Sequence, residues 1–148
     1  MLLSKGLWAG KGSLLAEGVS LGVEMTADLE VVEDPDGITI TGSMSGGANG
    51  QVSVRIAANE VGTYVIDARM LGAGLDGIAK LESQPNHSLL WNEAQTQLAS
   101  VALFPVDRGL GCRGFYREGG KTVTWEMLIQ PKQQVVSGDN VVSLMRRR

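Results

Sequence analysis

The sequence predicts an all-β fold, a single up-and-down antiparallel β-barrel of about ten strands. Apolar and polar residues alternate with a period of two along most of the chain, which is typical of strands that bury one face. Turn signals built from glycine, proline, asparagine and aspartate separate these segments at short intervals. Because nearly all the connections are short hairpins, a meander that closes on itself is favoured over a sandwich with long crossovers.

Length, charge and cysteine content limit the function classes. The 148 residues suit one domain, residues 1–148, with a real hydrophobic core. The net charge of −3 argues against nucleic acid as a partner, because binding phosphate requires a basic face. No segment reaches the roughly 20 apolar residues of a membrane span, and the start lacks the pattern of a signal peptide. With Cys112 as its single cysteine, the chain has no intrachain disulfide, and we expect it in the cytoplasm.

The first half of the chain contains five extended segments. Gly6 opens the first, and the second, 23–33, alternates cleanly. The turn Asp34-Pro35-Asp36-Gly37 follows, since proline fixes one φ angle and glycine permits a positive one. The third segment, 38–45, ends at a glycine-rich hairpin that contains the Asn-Gly turn signal. The fourth and fifth segments are 51–58 and 64–71.

The second half continues this pattern less regularly. Several glycines between residues 72 and 77 interrupt the chain before the sixth segment, 78–83. The remaining segments that the sequence predicts are 88–92, 97–104, 111–117, 121–130 and 134–145. Turns are predicted at 84–86, just before His87, and at 118–120. No stretch shows sustained helical periodicity.

A glycine and a tryptophan in the first segment carry a family resemblance. Gly6-Leu7-Trp8 resembles the Gly-x-Trp opening of the calycin superfamily, which includes lipocalins, fatty-acid-binding proteins and bacterial lipocalin-like barrels such as nitrobindin-like proteins. The resemblance implies a lipocalin-like barrel in which the tryptophan packs across the closed end, often against an arginine from a late strand. It therefore assigns barrel closure to Trp8 and Arg146.

The chain departs from each of these families in one feature. Only residues 16–22 separate the first two predicted strands, so the two-helix lid of fatty-acid-binding proteins does not fit. Nothing helical is predicted after Gln130, where lipocalins usually carry a helix. Nitrobindin-like proteins bind haem iron through a late histidine, whereas the only histidine here, His87, lies mid-chain. We therefore expect neither haem nor another cofactor.

Aromatic and methionine residues are the best candidates for a binding pocket. Predicted inward or strand-end positions carry Trp91, Trp125, Phe104, Tyr116, Met44, Met70 and Met127. Aromatic rings and flexible methionines form an adaptable lining for a small apolar or amphipathic molecule. The same side chains would equally fill a solid core, so the sequence leaves pocket and core as alternatives.

One charged pair, Asp67 and Arg69, is a candidate polar anchor for such a ligand. Both share a strand face with Val65 and Leu71, and the opposite face of the strand is also apolar. Alternation therefore does not decide which face is inside. Pointing inward, Arg69 would bind a carboxylate head group in bidentate fashion, whereas pointing outward the two residues form a surface pair.

Groups suited to catalysis or metal binding are sparse. The lone His87 has turn residues as neighbours and no second ligand at metal-binding spacing, so no metal site is predicted. Glu126 has the phase of Thr122 and Thr124, which indicates an outward position. Cys112, next to Gly111, is typical of a small buried hydrophobe.

Three hypotheses about function follow. The first is a protein that binds a small apolar or amphipathic molecule inside the barrel, and the sequence favours it. The second is an enzyme of isomerase or lyase type, which requires Asp67, Arg69, His87 or Glu126 to converge inside. The third is a ligand-free interaction module, for which the apolar residues on both faces of 98–104 suggest a homodimer interface.

Overall fold

The computed structural model describes residues 3–80 and 86–132, which form ten β-strands. The strands are β1 (Gly6–Ala16), β2 (Val23–Asp34), β3 (Gly37–Gly46), β4 (Gly50–Ala58), β5 (Tyr64–Met70), β6 (Ala73–Lys80), β7 (Asn86–Trp91), β8 (Gln97–Val106), β9 (Gly109–Glu118) and β10 (Lys121–Pro131). Each strand pairs antiparallel with its neighbours in sequence, and β10 pairs back with β1. The predicted closed, up-and-down, all-β barrel is therefore confirmed. None of the described residues belongs to a helix long and apolar enough to cross a membrane.

Strand β2 illustrates how the sequence builds the barrel wall. Met25, Ala27 and Val31 are buried and Leu29 is half-buried, while the polar residues between them are exposed. The register places Val31 opposite the buried Ile40 of β3, so the apolar face continues from strand to strand. Closing the sheet removes all of these inward side chains from water, which supplies the main stabilisation of the fold.

Glycines within the strands allow neighbouring strands to approach closely. At Gly12 of β1, a Cβ atom would collide with the backbone carbonyl of Glu126 on β10. At Gly77 of β6, a Cβ atom would collide with the carbonyl of Leu89 on β7. Any side chain at these positions would push the strands apart, so glycine is required there. Glycine kinks of this kind let a sheet curve enough to close into a barrel.

The end of the barrel formed by the start of β1 and the end of β10 is lined by buried apolar side chains of one core cluster, and we call it the sealed end. Trp8 is only 5% exposed there, and its indole N–H donates a hydrogen bond to the Ser4 carbonyl at 2.9 Å. Leu3 belongs to the same buried cluster. Side chains from the adjoining strands fill the rest of this end: Val31, Ile38, Ile56, Ile66, Leu110 and Ile129.

The turn between β2 and β3 is fixed by one carboxylate. Asp34 Oδ1 accepts hydrogen bonds from the backbone N–H groups of Asp36 and Gly37 at 2.9 and 3.1 Å. Arg55 of β4 reaches across β3 and donates to both carboxylate oxygens of Asp34. The hydrogen bond from Arg55, followed by that from the Asp36 backbone, lowers the pKa of Asp34 to about 2.

Several strand boundaries differ from the sequence prediction, most of all at β6 and β7. Strand β6 begins at Ala73 rather than at residue 78, because the chain turns only at Leu71 and Gly72, whose φ angles are positive. His87, expected in a turn, lies on β7 and is exposed. The predicted strand 134–145 and Arg146, the expected partner of Trp8, lie outside the described residues.

Candidate functional site

The end of the barrel opposite the sealed end is lined by apolar side chains that solvent reaches, and we call it the open end. Leu14 of β1 pairs with Trp125 of β10, and both are half-buried on the inner wall. Met44 of β3 and Met70 of β5 are half-buried on the same wall. Val23 pairs with Leu14 from the start of β2 and is 54% exposed. The apolar interior therefore continues into a partly exposed apolar mouth.

Trp125 packs on this wall against a glycine of the neighbouring strand. Its indole ring lies over Gly114 of β9, which has no side chain to displace it. Burial raises the pKa of the Cys112 thiol on the same strand, and a hydrogen bond from the Trp125 side chain lowers it in part. A raised pKa keeps Cys112 protonated and unreactive near neutral pH. The inner wall is thus apolar and chemically inert around Trp125.

Three polar side chains, Tyr116, Glu118 and Gln97, form a cluster at the rim of the open end. Tyr116 and Glu118 are two residues apart on β9 and share a face, and Gln97 of β8 is the register partner of Glu118. The Tyr116 hydroxyl donates to Glu118 Oε1 at 2.7 Å, and Gln97 Nε2 donates to Glu118 Oε2 at 3.0 Å. Burial of Tyr116, together with its hydrogen bond to the charged Glu118, raises the Tyr116 pKa to about 12. Tyr116 is therefore a neutral donor, and Glu118 is the acceptor of the cluster.

Sequence reasoning finds Tyr116 but misses its two partners. Glu118 precedes Gly119 and Gly120, so its position is typical of a turn rather than of a site. Gln97 begins a strand and carries no signal of its own. The one available signal was the spacing, since residues 116 and 118 lie on the same strand face.

A shallow groove lies on the outer side of the same rim. Trp91, Gln95, Gln97 and Leu98 line about 300 Å3 of space there. Trp91 and Leu98 are register partners on β7 and β8. Gln95, in the connecting loop, has a positive φ of 58°, which is uncommon for a residue with a side chain. Gln97 connects the groove to the polar cluster.

The predicted pocket residues divide between the two sides of the wall. Tyr116, Trp125 and Met70 are half-buried on the inner wall at the open end. Met127 also points inward but is buried deeper, where its terminal methyl group covers Gly10 of β1. These four inward residues therefore contribute partly to the mouth and partly to the core.

The sequence assigns Trp91 and Phe104 to the pocket lining, but the structure turns both outward. Their strands direct the alternate residues inward: Leu90, Ala99, Val101 and Leu103. Phe104 instead lies across Gly111 on the outer face, with the Arg113 guanidinium 5.4 Å from its ring centroid. Neither side chain can line the barrel interior, although Trp91 does line the outer groove.

The charged candidates lie on the outer face as well. Asp67 and Arg69 are exposed and form an ion pair at 3.6 Å, so Arg69 cannot reach a head group inside the barrel. Glu126 pairs with Arg113 at 2.9 Å on the surface, and His87 is exposed. The enzyme hypothesis requires Asp67, Arg69, His87 or Glu126 to converge inside the barrel, and the structure places all four on the outer face.

Within residues 3–80 and 86–132, no three His, Cys, Asp or Glu side chains come close enough together to hold a metal ion.

The open end, with its apolar inner wall and its polar cluster, is the candidate functional site. No protein-family model matches the chain, and no curated protein shows significant sequence similarity to it.

Proposed function

We propose that this chain is a lipocalin-like binding protein that holds a small apolar or amphipathic molecule in the open end of its barrel. Membership of the calycin superfamily is part of the proposal, and two features support it: the closed ten-strand meander and the Gly6-Leu7-Trp8 opening. Because one fold serves many functions, the fold alone does not carry the proposal. The geometry of the open end does.

The contrast between the two ends is the observation that carries the proposal. At the sealed end, Trp8, Val31 and Ile129 are all buried. At the open end, Leu14 and Met70 occupy the same inner wall and are only half-buried. Apolar surface left in water costs about 25 cal/mol per Å2. An apolar molecule seated in the mouth would recover this free energy by covering the exposed wall.

The polar cluster indicates which head group the ligand carries. Each carboxylate oxygen of Glu118 accepts one hydrogen bond, from Tyr116 or from Gln97, and keeps a further lone pair for another donor. Lys121 lies opposite Glu118 in the register, but among residues 3–80 and 86–132 neither Lys121 nor any other cation forms an ion pair with Glu118. A ligand with an amine or hydroxyl head group therefore fits the rim better than a carboxylate, which Glu118 would repel.

Binding of N-phenyl-1-naphthylamine tests the proposal. This neutral probe has an apolar body and one N–H donor, and its fluorescence rises in apolar surroundings. We expect saturable binding, and we expect Leu14→Lys to weaken it at least tenfold because the lysine places a charge on the inner wall. Leu15→Lys is the matched control, since Leu15 is the next residue on β1 and faces outward. Its affinity for the probe should equal that of the unmodified protein.

Three results would contradict the proposal. The first is that the unmodified protein shows no saturable probe binding, although it and both variants share one circular dichroism spectrum. The second is binding that survives Leu14→Lys but is lost in Trp91→Ala, which would place the probe in the outer groove. Equal losses in Leu14→Lys and Leu15→Lys would likewise exclude the inner wall as the binding surface.

A further inference from the structure

One part of the outer wall carries an uninterrupted row of aliphatic side chains. Val65 of β5, Ile78 of β6 and Leu89 of β7 are direct register partners, and they are 48, 50 and 43% exposed. The Cβ atoms of such cross-strand partners lie about 5 Å apart, so the three side chains form one continuous strip. Contiguous exposed apolar surface is typical of an interaction site. We call these three residues the outer strip.

Charged and aromatic residues flank the outer strip in a self-complementary order. On the outward face of β6, Asp76 precedes Ile78 and Lys80 follows it. The register pairs Asp76 with Trp91 and Lys80 with His87 on β7. The strip therefore has an acidic and aromatic edge toward the open end, and a basic edge with an imidazole toward the sealed end.

The two charges that flank Ile78 have no ionic partner among the described residues. Neither Asp76 nor Lys80 takes part in an ion pair there. The register neighbour of Asp76 on β5 is Asp67, which is also acidic and already pairs with Arg69. Both Asp76 and Lys80 are thus available to a surface that brings the opposite charge.

We propose that a second copy of this chain docks on the outer strip, related to the first by a two-fold axis. The axis lies in the interface and crosses the strands at Ile78 and Leu89. It sets Asp76 of one protomer opposite the partner's Lys80, and symmetry repeats this pair. Ile78 and Leu89 meet their own copies at the centre, as in other isologous interfaces.

The curvature of the barrel sets the strength of this contact. Because the barrel wall is convex, only about three strands of each protomer can touch the other protomer. Each protomer therefore buries less than the roughly 800 Å2 that is standard for one side of a stable interface. We therefore expect a reversible dimer whose dissociation constant is micromolar. The outer strip lies on the outside of the barrel, so dimerisation does not depend on the ligand site at the open end.

Sedimentation equilibrium over a range of concentrations tests the proposal. The unmodified chain should show a reversible monomer–dimer equilibrium, and Ile78→Lys should raise the dissociation constant at least a hundredfold by placing like charges at the centre. Val32→Lys is the matched control, because Val32 is 52% exposed and faces outward on β2. It should dimerise as the unmodified chain does.

Charge reversal tests the register of the interface. Asp76→Lys and Lys80→Asp should each weaken the dimer at least tenfold, because each sets like charges opposite one another across the axis. The double variant Asp76→Lys/Lys80→Asp restores opposite charges and should return the dissociation constant to within about threefold of the original. A chain that stays monomeric at about 1 mM, a dimer indifferent to Ile78→Lys, or a double variant as weak as the single ones would overturn the proposal.

Discussion

The indole ring of Trp125 lies across Gly114 of the neighbouring strand, so closely that a methyl group on Gly114 would sit 2.5 Å from ring atom Cζ2. The same methyl group would also collide with the Ser100 carbonyl of β8. Because Gly114 of β9 has no side chain, it leaves space for the Trp125 ring of β10. The packing of the inner wall at the open end depends on this space.

Gly114→Ala is therefore expected to lower the free energy of unfolding by about 1–3 kcal/mol, because the ring and the strand must both move. Urea denaturation measures the loss. Gly74→Ala is the control, since its nearest contacts are Arg69 guanidinium atoms at 3.6 and 3.9 Å, and its cost should stay within about 0.5 kcal/mol. Equal losses of unfolding free energy in the two variants would show that the packing of Trp125 does not require a glycine at position 114.

Trp8→Ala is expected to cost about 3–5 kcal/mol of stability, because it empties a buried aromatic site at the sealed end. Trp8→Phe should cost less, since it keeps most of the packing and loses the hydrogen bond to the Ser4 carbonyl. The comparison is Trp91→Ala on the outer face, measured in the same denaturant. If Trp91→Ala proved as destabilising as Trp8→Ala, the assignment of barrel closure to Trp8 would be wrong.

The Asp34–Arg55 pair predicts an acid-dependent loss of stability. Folding lowers the pKa of Asp34 from 3.8 to about 2. The stabilisation that the ionised Asp34 carboxylate gives to the folded protein is therefore fully present above pH 4 and disappears as the pH falls toward 2. The difference in unfolding free energy between the unmodified chain and Asp34→Asn should shrink over this interval. NMR titration of the carboxyl carbon gives the pKa directly, and a midpoint at the ordinary value would contradict the geometry.

Tyr116 predicts the opposite pH dependence at the alkaline end. Its folded pKa of about 12 exceeds the ordinary 10.0, so the stability linked to its proton is present below pH 10 and is lost between 10 and 12. Glu118→Gln removes the neighbouring charge and should lower the Tyr116 pKa. Ultraviolet titration of the phenolate in a Tyr64→Phe background isolates this group. An unchanged pKa in Glu118→Gln would mean that the rim hydrogen bond does not form.

Strand β2 and the sealed end are predictable from the sequence because local pattern and tertiary environment agree there. Met25, Ala27 and Val31 alternate with polar residues, and the barrel buries that face. The Asp34–Gly37 turn follows from its own residue types. Trp8, near the start of β1, is buried, as expected of a large aromatic side chain on the inner face of a strand.

The face of β7 and β8 that turns inward is not predictable from alternation, because apolar residues occupy both sides. Leu89 and Leu90 are neighbours of equal hydrophobicity, yet Leu89 lies on the outer strip and Leu90 in the core. Only the register with β6, fixed by the closed barrel, decides between them. The need for glycine at position 77 of β6 is likewise not predictable from the sequence. It arises because β7 approaches β6 closely there, and no local sequence pattern indicates this approach.

The polar cluster was unpredictable for a related reason. Gln97 and Glu118 are 21 residues apart in sequence and meet only because β8 and β9 pair in one register. Tyr116 alone carries a visible signal, as an aromatic residue on an alternating strand. A site assembled across two strands becomes apparent only when their pairing is known.

Carbon-13 methyl NMR of the methionines, recorded while N-phenyl-1-naphthylamine is added, tests the central claim most directly. Met44 and Met70 are half-buried at the open end, whereas Met127 is buried with its methyl group against Gly10. We predict that the aromatic probe shifts the Met44 and Met70 resonances most and the Met127 resonance least. Shifts that are absent, or as large at Met127 as at Met44 and Met70, would contradict a ligand site in the mouth of the barrel.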